Sequence, residues 1–275
     1  MKVESRKTAA VRHNGVRYSL AHEHEHSDQA VSLADTYLDV IVDSIVNQPR
    51  SLQKKIGPSE IGVECERAIL HKLNGDQEPR GGVPWKPTVG TAVHAYLEEA
   101  FTSDANTVGS DNQGRWLVEQ RVTVGQLGDT PITGSTDLYD IWTGTVIDHK
   151  CIGKSTGKKY RAHGPSRQYY VQAMLYGLGW KNAGYDVKMV AICFIPREGE
   201  LSGDTFIWTA PYDEQAALDA MARLNALQAV LNAAGIDTAL GLYPPCDDRW
   251  CRWCGSGSSF GNKPMQTTTK GLLAQ

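Results

Sequence analysis

Two acidic residues and a lysine fall on two segments that the sequence predicts to be neighbouring strands. Asp137 follows Gly134 in Gly-Ser-Thr-Asp, and Asp148 precedes Lys150 in Val-Ile-Asp-His-Lys. Side chains alternate along a strand, so Asp148 and Lys150 share one face. A turn at Thr143-Gly144 would fold the strands together and bring Asp137 opposite Asp148. Two carboxylates beside an ammonium favour metal-dependent phosphodiester cleavage, with Mg²⁺ or Mn²⁺ on the carboxylates and the lysine at the attacking water.

The Asp-x-Lys triplet alone is weak evidence, because a chain of this length should contain about two by chance. A second triplet, Asp186-Val187-Lys188, has no Gly-x-x-Asp strand before it, and we expect it to open an ordinary strand. A cross-strand ion pair on an exposed hairpin would also explain the triplet at Asp148. The residues around the triplet favour the metal site over that alternative.

Composition limits where the protein works and how it meets a partner. The chain has 275 residues, 41% hydrophobic and 21% charged, which is ordinary for a globular protein with one substantial core. It has no apolar run as long as a membrane span, and residues 1–7 lack the apolar stretch of a secretory signal. We therefore expect a cytoplasmic protein, in the host cytoplasm if it is encoded by a phage, with no membrane partner. The net charge of −3 means that any contact with DNA must be local.

One local concentration of positive charge follows the predicted metal strand. Residues 149–170 contain six Lys and Arg residues and no acid, and three glycines in the same segment predict a mobile loop. A basic, mobile segment beside a metal site favours contact with a phosphate backbone. The candidate DNA contacts in it are Lys154, Lys158, Lys159 and Arg161. The alternative is a solvated loop with a chance run of charge.

Periodicity and turn residues outline the elements that must hold these side chains. We predict helices over 32–47, 59–73 with Ser59 as N-cap, about 88–101, 165–182 and 213–234. We predict strands near 115–125, 131–142, 145–151, 188–196 and 204–210. This order of helices and strands predicts an α/β core.

Further motifs flank the two carboxylates and the lysine. His94 ends Gly-Thr-Ala-Val-His, and Gln172 and Tyr176 lie four residues apart on one predicted helix face. Gly-x-x-x-His, Gly-x-x-Asp, Asp-x-Lys and Gln-x-x-x-Tyr, in this order, resemble the RecB-like branch of the PD-(D/E)XK nucleases over roughly residues 55–255. The resemblance is closest to the CRISPR-associated four-cysteine exonucleases and their phage-encoded relatives.

The resemblance implies a fold and a set of roles. The implied fold is restriction-endonuclease-like, an α/β core with a central mixed β-sheet flanked by helices and closed by a four-cysteine metal cluster. The implied metal ligands are His94, Asp137, Asp148 and the main-chain carbonyl of His149. Lys150 would serve the nucleophilic water, and Gln172 and Tyr176 would position the strand near the scissile phosphate. Glu119, on the strand before Asp137, is a further candidate for binding a second ion or orienting a ligand.

The cysteines divide into an early residue and a late group. Cys246-x4-Cys251-x2-Cys254 lies in a Pro/Trp/Arg-rich stretch after the last predicted helix, and Cys65 lies far upstream. One early and three late cysteines resemble the [4Fe–4S] cluster of these exonucleases, which would have a structural role. The longer gap comes first here, the reverse of the usual order in the family, so Zn²⁺ remains the alternative. We expect Cys151 and Cys193 to be packing residues.

A competing motif lies near the N-terminus. His22-Glu23-His24-Glu25-His26 matches the His-Glu-x-x-His pattern of zinc metalloproteases. That chemistry needs a buried helix and a third ligand, and neither is indicated by the polar residues around it. An exposed His-rich patch is the simpler interpretation.

Together these patterns predict divalent-metal-dependent DNA hydrolysis. The resemblance further implies a DNA exonuclease acting on single-stranded ends, with 5′→3′ polarity, in recombination, repair or end processing. The predicted organisation is an N-terminal arm and helix (1–50), the nuclease domain with its cysteine cluster (51–255) and a disordered tail (256–275). The partner is DNA that is single-stranded or has free ends, and self-association or a recombination-protein partner is compatible with this. The alternative is a DNA-end-binding or adaptation-complex subunit in which cleavage is secondary.

Overall fold

The computed structural model describes residues 10–13, 16–19, 28–47, 55–79, 83 and 85–255. The strands are β1 (Ala10–His13), β2 (Val16–Ser19), β3 (Trp116–Leu127), β4 (Thr130–Asp140), β5 (Thr145–Ile152), β6 (Met189–Pro196) and β7 (Phe206–Pro211). The helices are α1 (Asp28–Val46), α2 (Pro58–Ile61), α3 (Glu66–Leu73), α4 (Trp85–Asn106), α5 (Lys154–His163), α6 (Arg167–Asn182), α7 (Leu201–Asp204) and α8 (Glu214–Leu242). The His-rich motif at 22–26 and the predicted tail at 256–275 lie outside the described residues.

Five strands form one mixed sheet in the order β3-β4-β5-β6-β7. The first three make an antiparallel meander, and β6 lies parallel to β5. Parallel neighbours need a crossover connection, which α5 and α6 provide. The α/β class and the central mixed sheet flanked by helices are therefore confirmed, and the five predicted strands match within a few residues. The strands β1 and β2 pair separately as a hairpin within the predicted N-terminal arm.

Helix α6 is the centre of the core. Its ten consecutive residues from Val171 to Trp180 are buried, because β3 packs on one part of its surface and α2 and α8 on others. Trp180 donates a hydrogen bond to Thr136 Oγ1 at 3.1 Å and stacks on Tyr139 at 4.5 Å. These contacts fix α6 against β4, the strand that carries Asp137.

The single helix predicted over 59–73 is wrong, because α2 ends at Ile61 and α3 begins at Glu66. A Cβ on Gly62 would lie 2.8 Å from the Cα of Gln168, so only glycine lets this turn pack against α6. Cys65 then adopts an extended backbone and caps α3, its sulfur accepting a hydrogen bond from the Ala68 amide. Ser59 is not the N-cap, since Gly57 precedes Pro58 at the first helical position.

The mobile loop predicted for the basic segment is also wrong, because residues 154–163 form α5. Gly153 and Gly164 lie at its two ends, and the positive φ of Gly164 (78°) stops the helix. Tyr160 anchors α5 by packing on Phe194 (ring centroids 5.3 Å apart) and Tyr169 (5.8 Å). Helix α8 continues past the predicted end at 234 with a kink at Gly235. Among the described residues, no helix is long and apolar enough to cross a membrane.

Candidate active site and cysteine cluster

Strands β4 and β5 separate where the two predicted carboxylates stand. Their ladder runs from Asp140 paired with Thr145 to Leu138 paired with Ile147, and the next position would oppose Asp137 and Asp148. Instead the His149 amide donates a hydrogen bond to Asp137 Oδ2 at 2.6 Å. The Asp137 side chain thus replaces the ladder, and the strands open at the two carboxylates.

Helix α4, which packs against β3 and β5, supplies an imidazole at this opening. His94 Nδ1 lies 3.1 Å from Asp137 Oδ1, and the two rings of His94 and His149 meet edge to face at 6.1 Å. The His149 ring stacks on Phe101 of the same helix at 5.7 Å. The hydrogen bond to Asp137 raises the pKa of His94 although burial opposes it. Burial would raise the pKa of Asp137, but the hydrogen bonds from His94 and the His149 amide, together with the charges of His94 and Lys150, outweigh it and lower that pKa.

Glu119 on β3 completes a group of metal-capable side chains. Val118 and Gln120 pair with Leu138 and Thr136, so Glu119 lies opposite Asp137. One ligand atom from each of His94, Glu119 and Asp137 lies within 4.8 Å of the others. Glu119 is the one described residue other than glycine with a positive φ (49°). Such backbone costs on the order of 1–3 kcal/mol and clusters at functional sites.

Asp148 is buried next to Lys150 and α6. Lys150 Nζ contacts Asp148 Oδ2, and Gln172 Nε2 donates to Asp148 Oδ1 at 3.1 Å. Burial raises the pKa of Asp148 to about 6, with Lys150 opposing the rise and Asp137 adding to it. Tyr176 OH lies 3.4 Å from Gln172 Nε2. Gln172 and Tyr176 are 5% and 7% exposed, so they lie beneath the site and support Asp148 rather than facing a bound strand.

Gly134, the glycine of Gly-x-x-Asp, has a packing role. A Cβ there would lie 2.8 Å from Cγ of Pro58 and 3.0 Å from Cε1 of Tyr176. The glycine therefore lets β4 lie directly against α2 and α6, three residues before Asp137.

The side chains of His94, Glu119 and Asp137 fit a divalent cation, because carboxylate oxygens suit Mg²⁺ and Mn²⁺ and an imidazole is tolerated by Mn²⁺.

The four predicted cluster cysteines meet between the start of α3 and the loop after α8. The sulfurs of Cys65, Cys246, Cys251 and Cys254 all lie within 4.8 Å of one another, with Cys65 and Cys254 3.7 Å apart. The predicted four-cysteine cluster is confirmed, and Cys151 and Cys193 are not part of it. Burial raises the pKa of Cys65 and of Cys246. Four thiol groups this close together, with burial opposing their ionisation, fit a metal centre, because a metal supplies the positive charge that stabilises thiolates.

Long-range hydrogen bonds bring the early cysteine to the late ones. Arg223 of α8 donates to the carbonyls of Val63 and Glu64, both at 2.9 Å, and pairs with Glu66 at 2.8 Å. Arg67 Nη1 donates to the Leu240 carbonyl at 2.6 Å near the end of α8. Partners about 160–170 residues apart give no local sequence signal, so sequence reasoning missed both arginines.

Local packing shapes the loop that carries the late cysteines. Trp253 stacks on His71 of α3 with ring centroids 3.9 Å apart. A Cβ on Gly255 would lie 2.4 Å from the Arg249 carbonyl oxygen, so glycine allows the tight closure after Cys254. The loop is thus held against the helix that Cys65 caps.

Comparisons with known proteins give remote likenesses. No protein-family model matches the chain, and no curated protein matches it. The structure is similar to an alkaline exonuclease from Laribacter hongkongensis over 67% of this chain and 95% of that one, with a TM-score of 0.43 and 12% identity. The same exonuclease in complex with dAMP gives a TM-score of 0.46 and 15% identity over 69% and 93%. A phage-related exonuclease from Haemophilus somnus gives 0.42 and 14% over 68% and 96%. At such TM-scores and identities these likenesses decide nothing about the chemistry of this chain.

Proposed function

We propose that the protein is a divalent-metal-dependent deoxyribonuclease of the RecB-like PD-(D/E)XK type. The observation that carries the proposal is the convergence of His94, Glu119 and Asp137 where β4 and β5 separate, with Asp148 and Lys150 beside them. The alternative for Asp148 and Lys150, an ion pair on an exposed hairpin, does not fit the structure. Asp148 is buried, and it accepts a hydrogen bond from the buried side chain of Gln172.

The proposed ligands of Mg²⁺ or Mn²⁺ are His94, Asp137, Asp148 and the His149 carbonyl, and the further candidate Glu119 is supported by its closeness to His94 and Asp137. When bound there, the ion would polarise the scissile phosphate and lower the pKa of a water molecule. Lys150 donates one of its three N–H groups to Asp148, and the other two can orient the attacking water. The attacking water would lose a proton to solvent as its oxygen bonds to phosphorus, the bond to the 3′-oxygen would break, and solvent would protonate the leaving oxygen.

The substrate and the cluster metal follow from the resemblance in the sequence. We expect exonucleolytic cleavage of single-stranded ends in the 5′→3′ direction, as part of recombination, repair or end processing. The cysteine group would hold a structural [4Fe–4S] cluster, with Zn²⁺ as the alternative, and reduced thiols fit a cytoplasmic location. Visible absorbance and iron content of the purified protein distinguish the two metals.

The test is cleavage of end-labelled single-stranded and duplex DNA in Mn²⁺ by the wild type, Lys150→Ala and Lys181→Ala. Lys181 pairs with Glu214 at the far end of α6 and serves as the matched control. We expect shortening from free single-stranded ends by the wild type and the control, and none by Lys150→Ala. Failure of folded, metal-replete wild type to cleave any DNA would refute the enzyme and favour the DNA-end-binding alternative.

A further inference from the structure

A basic cleft opens where the parallel strands β5 and β6 end. We name it the α5 cleft; it is lined by Ile152, Gly153, Lys154, Gly157, Lys158, Arg161, Pro196, Glu198 and Asp204. Lys154, Lys158 and Arg161 follow one another at helical spacing, so their side chains share one face of α5. The cleft has a volume of about 60 Å³, well below the roughly 300–1,000 Å³ of small-molecule sites, so it can take only a small group.

Neighbouring side chains hold the charge of the α5 cleft in place. Arg161 Nη2 donates to the Asp204 carbonyl at 3.2 Å, and its guanidinium lies 4.5 Å from the Phe206 ring centroid. Arg197 stands behind Gly153, with Nη1 3.6 Å from the position of an added Cβ there. Its Nη2 donates to the Cys151 carbonyl, and its buried Nε has no hydrogen-bond partner among the described residues. Arg161 and Arg197 are thus held by neighbouring groups, whereas Lys154 and Lys158 are exposed.

Two acidic residues, Glu198 and Asp204, reduce the positive charge of the α5 cleft but do not neutralise it. Glu198 is exposed at the rim, whereas one oxygen of the Asp204 carboxylate accepts a hydrogen bond from the Glu200 amide at 3.3 Å. Three basic side chains line the cleft against these two, and Arg197 adds a fourth positive charge behind it. The balance favours a bound anion.

The position of the cleft relative to the proposed metal site limits what that anion is. Ile152 lies two residues beyond Lys150 and four beyond Asp148, which is about 7 and 13 Å along a strand. The cleft is therefore too far along β5 for the scissile phosphate and suits another phosphate of the same strand.

We propose that the α5 cleft binds one non-scissile phosphodiester of the DNA strand, with Lys154, Lys158 and Arg161 as its ligands. This inference rests on the proposed function and narrows it to a single phosphate subsite. Lys159 is on the same helix but does not line the cleft, so we do not expect it to contact this phosphate. Such a subsite would define the minimum length of DNA strand beyond the metal site that the protein needs for tight binding.

The test uses single-stranded oligonucleotides that each carry one uncharged methylphosphonate linkage, moved one position at a time. Binding is measured in Ca²⁺ for the wild type, the Lys154→Ala/Lys158→Ala double variant, Lys159→Ala and Lys188→Ala. Lys188 is a control, an exposed lysine paired with Asp186 at the opposite end of β6. Urea denaturation of each variant establishes that it is folded.

We expect one linkage position to weaken wild-type binding by roughly tenfold. The double variant should bind natural DNA about as weakly as the wild type binds the modified strand, and it should respond less to that linkage. The slope of its log Kd against log salt should be lower by about 0.7. Lys188→Ala should behave as the wild type. Equal losses in Lys159→Ala and the double variant would show a diffuse basic surface and overturn the subsite.

Two outcomes separate this inference from the proposed function. Cleavage that persists while no linkage position distinguishes the double variant from the wild type leaves a nuclease without the subsite. Linkage-specific binding by a wild type that does not cleave in Mn²⁺ leaves the subsite without the nuclease. Absence of any DNA binding overturns the subsite.

Discussion

Gln172 is the buried residue that supports Asp148 from α6, and its replacement tests that role. Its Nε2 donates to Asp148 Oδ1 at 3.1 Å, and the residue is 5% exposed. Gln172→Met keeps the length of the side chain but removes the donor. We expect kcat for DNA cleavage to fall while KM stays unchanged, because a side chain beneath Asp148 cannot reach a bound strand.

The size of the effect follows from the hydrogen bond that is lost. A hydrogen bond to a charged group contributes about 1.5–3 kcal/mol. If the hydrogen bond stabilises the transition state but not the bound substrate, its loss lowers kcat roughly 10- to 150-fold, at about 1.4 kcal/mol per factor of ten. The free energy of unfolding should change less, because Lys150 still pairs with Asp148.

The assay is steady-state cleavage of an end-labelled oligonucleotide in Mn²⁺, with Gln168→Met as the matched control. Gln168 lies one turn earlier on α6 and donates to the Ser59 carbonyl at 2.6 Å, away from Asp148. The control should lower the urea midpoint and keep kcat. A raised KM with unchanged kcat in Gln172→Met would mean that Gln172 contacts the strand, and unchanged kinetics would mean that Asp148 does not depend on it. Either result refutes the reasoning.

Three further substitutions test other parts of the structure. Arg223→Met removes the donors that tie the early cysteine's segment to α8, so we expect about 3 kcal/mol lower stability in urea and a loss of cluster metal; full metal content at unchanged stability would contradict this. Gly134→Ala places a Cβ 2.8 Å from the proline ring that begins α2 and should cost about 1–3 kcal/mol, whereas Gly203→Ala, with no atom within 4 Å, should cost less. Burial alone would raise the pKa of Asp140, but two hydrogen bonds from Arg115 help to lower it below 3.8. That stability is present above the ordinary pKa and is lost as the carboxylate is protonated, so the stability gap between the wild type and Asp140→Asn should shrink between about pH 5 and pH 3 in urea titrations; a constant gap would contradict the assignment.

The parts of the fold that the sequence predicts correctly depend on local signals. Alternating side chains and turn residues define the five strands, and the turn at Thr143-Gly144 has the positive φ that glycine permits, 67° at Gly144. The cysteine cluster is also predictable, because few roles other than metal binding need three closely spaced cysteines and a fourth. These signals belong to the residues themselves or to their immediate neighbours.

The wrong predictions depend on contacts between distant segments. The break between α2 and α3 follows from the approach of α6 at Gly62, and α5 is anchored through Tyr160 on β6. The strained backbone of Glu119 has no sequence signature beyond an acid on the preceding strand. The burial of Gln172 results from packing on several sides of α6, which an i, i+4 pattern cannot reveal.

The most direct test of the metal site is a Mn²⁺ titration followed by electron paramagnetic resonance, comparing the wild type with Asp137→Asn. Asp186→Asn serves as the control, because Asp186 is 83% exposed and pairs only with Lys188 among the described salt bridges. We predict saturable Mn²⁺ binding by the wild type and the control. Asp137→Asn should bind Mn²⁺ at least about tenfold more weakly, lose DNA cleavage and retain DNA binding. Unchanged Mn²⁺ affinity and cleavage in Asp137→Asn would contradict the assignment of the site.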